Sequence, residues 1–221
     1  MASRTLVLLA VTLTAASIAG TAALGTAPAA SATGDEVVAW LRANREGVRW
    51  SVFASTVSAP LFAAVIALLR RQIPAPHRDV FLIGGIGVLV AAAVQSWFLG
   101  GLVLHADRIE PATARTILDV AAFFGPVLTG AFMTFIAPVT LLALRRHGAL
   151  PKWLGVLGAV AFAEQALETV TIFGSSGFTE PGGAMNLQLG AALVSLWLLA
   201  FALWAGIRGV EFETVVEDRA A

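Results

Sequence analysis

The sequence predicts an all-α fold, a polytopic bundle of six transmembrane helices, and three observations carry that expectation. Six long apolar runs are each closed by charges or turn residues. Apolar side chains make up 58% of the chain and charged ones only 13%, with a mean hydropathy of +0.84; ordinary soluble domains carry about 25% charge. The runs also lack polar alternation, and isolated strands would leave backbone groups unpaired in hydrocarbon, so helices are the spanning element.

The first run extends from Leu6 to about Thr26 and the second from Trp50 to Leu69, where Arg70-Arg71 stops it. The third is Val80 to His105, and the fourth Thr116 to Leu144, stopped by Arg145-Arg146. Trp153 to Gly174 is the fifth, and Leu187 to Ile207, stopped by Arg208, the sixth. Each is close to or above the ~20 residues a helix needs to cross ~30 Å of hydrocarbon. Ala30-Ser31-Ala32 has the pattern of a signal-peptide cleavage site behind the basic Arg4, which would leave five spans. Against cleavage, the first run exceeds the ~7–15 residues of a usual signal core. Residues 33–49 form an external segment in which Val37, Leu41 and Val48 share one side, as in a helix lying in the outer interface or one packed on the bundle.

Basic residues set the orientation. With the amino terminus inside, nine of the fourteen Lys and Arg residues fall in cytoplasmic segments, both Arg-Arg pairs among them. Arg42, Arg45, Arg49, Arg108 and Arg115 fall outside. A cell-membrane protein with both termini cytoplasmic is expected, its residues 209–221 forming a short acidic tail.

Within the bundle, Gly155, Ala159 and Ala163 repeat every four residues, as do Gly87 with Ala91 and Ala202 with Gly206. Small residues at this spacing allow close helix approach in lipid. Pro60, Pro126 and Pro138 lie within spans two and four and favour kinks there. A faint repeat links spans two–three to spans four–five and would make Gln95 and Gln165 equivalent polar positions.

Chemistry points to the fifth span. Counted at ~1.5 Å per residue from Leu154, Glu164 lies ~15 Å in and Glu168 ~21 Å in, one above the other on one helix face. Gln95 lies ~22 Å from the inner edge of span three, while Asp119 and His105 sit near the outer boundary. Two acids near a span's centre cost ~5–7 kcal/mol on insertion scales, against ~3–5 returned by the apolar residues of that span, so its polar face must look into the bundle. No Lys or Arg lies at matching depth, and desolvation with mutual repulsion should keep at least one carboxyl protonated near neutrality. Glu164, Gln165, Glu168, Gln95, Asp119 and His105 are therefore the candidate residues for a ligand or proton site. Two roles stand open: a polar cavity handling a proton, cation or small solute, and structural bonding to Gln95, Thr129 or backbone carbonyls. A divalent-metal set of Glu164, Glu168, His105 and Asp119 is the weaker variant, since His105 lies nearer the surface.

Other chemistries find little footing. The chain has no cysteine and no net charge, which excludes thiolate sites and gives no pull toward nucleic acid. His77 and His147 belong to basic loops, so no span carries a histidine pair for haem. No H-E-x-x-H, G-x-S-x-G or Walker A pattern occurs, which leaves no recognisable nucleophile or metal set for an enzyme. No cofactor is expected. The expected partners are the lipid bilayer, with a partner membrane protein or a second copy of the chain left open.

The last outer loop reads Ser176-Gly-Phe-Thr-Glu-Pro-Gly-Gly-Ala-Met-Asn186 and leads into Leu187–Gly206. With the span layout, it resembles a group of uncharacterised six-span bacterial integral membrane proteins with a domain of unknown function. That resemblance implies the fold and brings no activity, cofactor or catalytic residue.

Overall fold

The computed structural model describes residues 2–146 and 150–208; His147 and the acidic tail beyond Arg208 lie outside the described residues. Eight α-helices follow one another: α1 Ala2–Leu24, α2 Gly34–Ala43, α3 Arg45–Leu69, α4 His77–Leu104, α5 Pro111–Ala122, α6 Phe124–Leu144, α7 Lys152–Glu168 and α8 Ala191–Arg208. No strand occurs among the described residues. Six stretches are long and apolar enough to cross a membrane, α5 and α6 counting as one and α7 and α8 being extended by short irregular helices. Trp97, Ile83, Phe53 and Val127 are more than half exposed, which a lipid-facing surface accommodates and a water-facing one does not.

The fourth span is not one continuous helix. Pro111 starts α5 at a position where its missing N–H has no intrahelical partner to lose, and Phe123 separates α5 from α6. Pro126 falls in the first turn of α6, where it is tolerated for the same reason, and the break between the two helices falls at Phe123, just before Gly125-Pro126.

Helix α6 is the centre of the bundle, between α4 and α7. Its fully buried Phe135 stacks on Phe81 of α4 at 4.4 Å between centroids and meets Trp197 of α8 edge-on at 5.5 Å. Gly84 brings the backbones of α4 and α6 together, since a Cβ there would lie 2.6 Å from Phe135 Cα. On α7 the face turned to its neighbours is Leu154, Gly155, Gly158, Ala161, Glu164, Gln165 and Glu168. The four-residue stripe Gly155, Ala159, Ala163 instead runs off that face, and Ala163 is exposed. A three-and-four spacing follows the 3.6-residue turn, whereas steps of four drift around the helix. Helix α1 packs along α3 and α8 and places Leu6, Ala10 and Leu13 in this core.

A second, smaller core closes the end away from the Arg-Arg pairs. Thr33 and Glu36 form a reciprocal capping box that starts α2, and Val37 and Leu41 are buried against Leu102, Ala114 and Leu118. The apolar side of α2 thus faces α4 and α5 rather than lipid. Arg45 pairs with Asp107 at 2.5 Å, and Arg42 donates to the Ala106 carbonyl at 3.1 Å, fastening α2 and α3 to the turn after α4. The Arg45 guanidinium holds the Asp107 carboxyl below its usual range, and bonds from the Thr33 backbone and hydroxyl do the same for Glu36.

Candidate functional site, a buried carboxyl–amide cluster

Glu164, Gln165 and Glu168 occupy the last turn and a half of α7, on the face it turns toward α6 and α8. Exposure is 8% for Glu164, 1% for Gln165 and 3% for Glu168. One amide group joins the pair: Gln165 Nε2 donates to Glu164 Oε2 at 2.8 Å and to Glu168 Oε2 at 2.7 Å. An amide nitrogen carries two N–H donors, so this arrangement uses both of them. Two acceptors remain buried without a partner, Glu164 Oε1 and Gln165 Oε1.

The fourth member comes from across the seam. Asn186 Nδ2 donates to Glu168 Oε1 at 2.7 Å and to Thr171 Oγ1 at 3.2 Å, while Asn186 Oδ1 accepts from the Gly182 N–H at 2.9 Å. Helical geometry departs from regular α on both sides of this contact. Glu168 ends α7, and a 3₁₀ segment Thr169–Phe173 follows. Asn186 lies in a π-helical segment, Met185–Gly190, that runs into α8, and such widened turns recur at functional sites. Two glycines make the room. A Cβ on Gly190 would collide with Glu168 Oε2 and lie 2.7 Å from Gln165 Nε2. A Cβ on Gly125 would lie 2.8 Å from Asn186 Cβ.

Counted from Lys152, Glu164 lies ~18 Å and Glu168 ~24 Å along the helix, in the half of the span away from the Arg-Arg pairs. The packed elements bring little charge. Helix α6 and the 3₁₀ and π segments have no ionisable residue, α8 has only Arg208, and α7 adds only Lys152 at its opposite end. Two carboxyls without a cation in low dielectric cannot both stay ionised cheaply, so the chemistry open to the cluster is taking up and releasing protons.

The other candidate residues are placed elsewhere. Gln95 is half-buried and reaches the Ala121 carbonyl at 3.5 Å, a marginal bond to α5. Asp119 pairs with Arg115 on its own helix, and both line a cavity of about 110 Å³ with Pro28, Ala122, Gly174 and Pro181. His105 caps α4 and is exposed. Thr129 bonds the Pro126 carbonyl and Thr169 Oγ1 rather than a carboxyl. Glu164, Glu168, His105 and Asp119 do not converge, and among the described residues no group of three His, Cys, Asp or Glu could hold a metal.

Sequence reasoning missed Asn186, Thr171, Gly125 and Gly190. Asn186 stands one residue before the sixth apolar run, and that boundary assigned it to the loop. A polar amide followed four residues later by glycine at the head of a span was the signal available. No family model, no curated protein and no solved structure matches this chain. The fold and site together define a multi-pass helical membrane protein with a carboxyl–amide cluster inside its bundle.

Proposed function

We propose that this protein resides in the bacterial cell membrane with both termini cytoplasmic, and that it moves or binds a proton or small polar solute at the Glu164–Gln165–Glu168–Asn186 cluster. One observation carries this reading: two carboxyls share one amide inside the bundle while Glu164 Oε1 and Gln165 Oε1 have no partner. A purely structural network gains most when every buried group is satisfied, because an orphaned acceptor costs about 1–3 kcal/mol. The cluster's atoms already stand at hydrogen-bond distance, so the occupant that fits without rearrangement is a proton.

The test uses purified protein in liposomes loaded with a pH-sensitive dye. Glu164→Gln keeps shape and hydrogen bonding, Glu168→Gln keeps shape but sets an NH2 against one of its two donors, Asn186 Nδ2 or Gln165 Nε2, and neither can release a proton at that position. Both variants should fold normally and lose flux, and a hydrophobic carboxyl reagent should label Glu164 or Glu168 in native membranes, less as pH rises. The reading fails if both variants match wild type in growth, flux and ligand assays. Orientation has its own test. Reporter fusions after Arg71 and Arg146 should read cytoplasmic, and those near Asn44, Glu110 and Gly182 external; a cytoplasmic signal at Gly182 would overturn the topology.

The Asn186–Glu168 bond favours a second reading, a non-catalytic scaffold or regulatory subunit whose carboxyls bind helices together. There Glu→Gln would be silent in every assay and Glu→Leu would lower thermal stability.

A further inference from the structure

We infer that the end of the bundle carrying the Arg-Arg pairs holds a binding site for the phosphate of an anionic phospholipid, built by Arg70, Gln72, His77 and Arg145. It is separate from the carboxyl cluster and does not depend on the chemistry there. The two ends of the molecule are charged differently. At the opposite end, among the described residues, five Arg side chains meet seven carboxylates, and Arg45, Arg49 and Arg115 are each paired with one. At the Arg-Arg end, again among the described residues, eight Lys and Arg side chains share one carboxylate, Asp79. It takes Arg70 Nη2 at 3.0 Å and lies 3.9 Å from Arg78 Nε. Basic residues orient spans even when they stand free in water. Here several donors are withdrawn from water: Arg70 Nε, Gln72 Nε2 and His77 Nδ1 are buried without a partner.

Three elements supply these nitrogens. Arg70 and Gln72 belong to the 3₁₀ turn Arg70–Gln72 that ends α3, His77 opens α4, and Arg145 follows the last residue of α6. Arg145 Nη2 stands 3.4 Å from His77 Nε2. A guanidinium only donates, so His77 Nε2 accepts and a neutral ring carries its proton on Nδ1, the atom without an acceptor. The start of α4 has no side-chain cap, so the positive end of a 28-residue helix opens at the same place. Donors from three elements, with the one carboxylate already engaged, suit an anion that offers several oxygens, and guanidinium forks match those of a phosphate. The apolar surroundings favour a lipid over a soluble phosphate. Inward of the donors, Val80 and Ile83 on α4 and Leu141 and Leu144 on α6 are exposed, as acyl chains below a headgroup require. The Arg70 side chain is 40% exposed and Arg145 is exposed, so both guanidiniums can turn onto a headgroup without backbone movement. By the orientation proposed above, the lipid belongs to the cytoplasmic leaflet.

The experiment is native mass spectrometry of the full chain released from nanodiscs of phosphatidylglycerol and phosphatidylcholine in equal parts, with matched acyl chains. Wild-type protein should retain phosphatidylglycerol in preference to phosphatidylcholine. Arg70→Gln and Arg145→Gln should each cut that preference about fivefold, while Arg49→Gln, beside Glu46 at the other end, should leave it unchanged. Wild-type protein without a preference overturns the inference whether or not the variants fold, and so does a loss as large in Arg49→Gln as in Arg145→Gln. Two further arms separate the lipid from other occupants. Millimolar inorganic phosphate, added to protein in phosphatidylcholine alone, should raise Tm less than phosphatidylglycerol does; equal protection gives the site to a soluble anion and overturns the lipid assignment. The acidic tail, outside the described residues, is the other rival. A lipid preference that emerges only when Glu211, Glu213, Glu217 and Asp218 are replaced by their amides gives the patch to the tail and overturns the inference as well.

Discussion

Replacing Asn186 by alanine removes the one side chain that, among the described residues, bonds the carboxyl cluster from outside α7. Three hydrogen bonds go at once: to Glu168 Oε1 at 2.7 Å, to Thr171 Oγ1 at 3.2 Å, and from the Gly182 N–H at 2.9 Å. Polar bonds between membrane helices average about 0.6 kcal/mol and reach about 1.7, and the bond to a carboxylate belongs near the upper value. Glu168 Oε1 and the Gly182 N–H would also be left without partners in a site only 3–5% exposed at Glu168 and Asn186. The sum is about 2–4 kcal/mol, and at ~2–4 °C per kcal/mol for a chain of this size Tm should fall by about 5–15 °C. Thermal unfolding in one detergent, followed by circular dichroism, measures it. Gln95→Ala is the comparison, because its single 3.5 Å bond to Ala121 O should cost less than about 0.6 kcal/mol. Asn186→Asp sharpens the sign. An acceptor would then face Glu168 Oε1, so the variant should lose more stability as pH rises and recover as acidification supplies the missing proton. If Asn186→Ala unfolds within about 0.5 kcal/mol of wild type, or no lower than Gln95→Ala, the cluster does not hold α8 in place and the site has been misjudged.

Four further outcomes follow from the same geometry. Gly190→Ala drives a Cβ into Glu168 Oε2 and should cost about 1–3 kcal/mol by overpacking while shifting the pH dependence of carboxyl labelling, whereas Gly101→Ala, where nothing lies within 4 Å, should do neither. Asp107 should titrate below the ordinary aspartate range and return toward it in Arg45→Gln; the stability it contributes is present above the unfolded-state value and is lost as pH falls through the folded one, which NMR titration with acid unfolding checks. Thr33→Ala removes the cap of α2 and should cost about 1 kcal/mol, with Glu36 titrating at higher pH than in wild type. Because Leu6, Ala10 and Leu13 are buried against the rest of the bundle, intact mass of protein isolated from membranes should include α1, and a chain beginning at Thr33 would refute that.

Composition and run length made the helical bundle readable because lipid permits so few solutions: a chain this apolar must satisfy its backbone within helices. The same logic located Glu164 and Glu168, since acids in an apolar run are costly wherever they point except inward. What the residues could not disclose was which other side chains meet them. Gln165 is adjacent to Glu164 in sequence, where helical neighbours ordinarily diverge by about 100°, and it bridges the pair only because its side chain is long enough to lie across the turn. Asn186 reaches Glu168 because the chain widens into a π turn where the apolar pattern predicts an ordinary helix start. Gln95, at matching depth by residue count, is engaged with α5 instead, since depth fixes height in the bilayer but not the direction a helix faces. The grouping Glu164, Gln165, Glu168 and Asn186 thus depends on two glycines, Gly125 and Gly190, whose missing side chains set how closely α6, α7 and the π turn approach. A glycine in a membrane helix reads from sequence as a packing position, and here it also sets the volume in which a carboxyl and an amide can meet. Substituting either glycine is therefore the most direct way to separate packing from chemistry. A fold that tolerates alanine at Gly125 while Asn186 loses its bond to Glu168 would place the demand for glycine in the site rather than in the bundle.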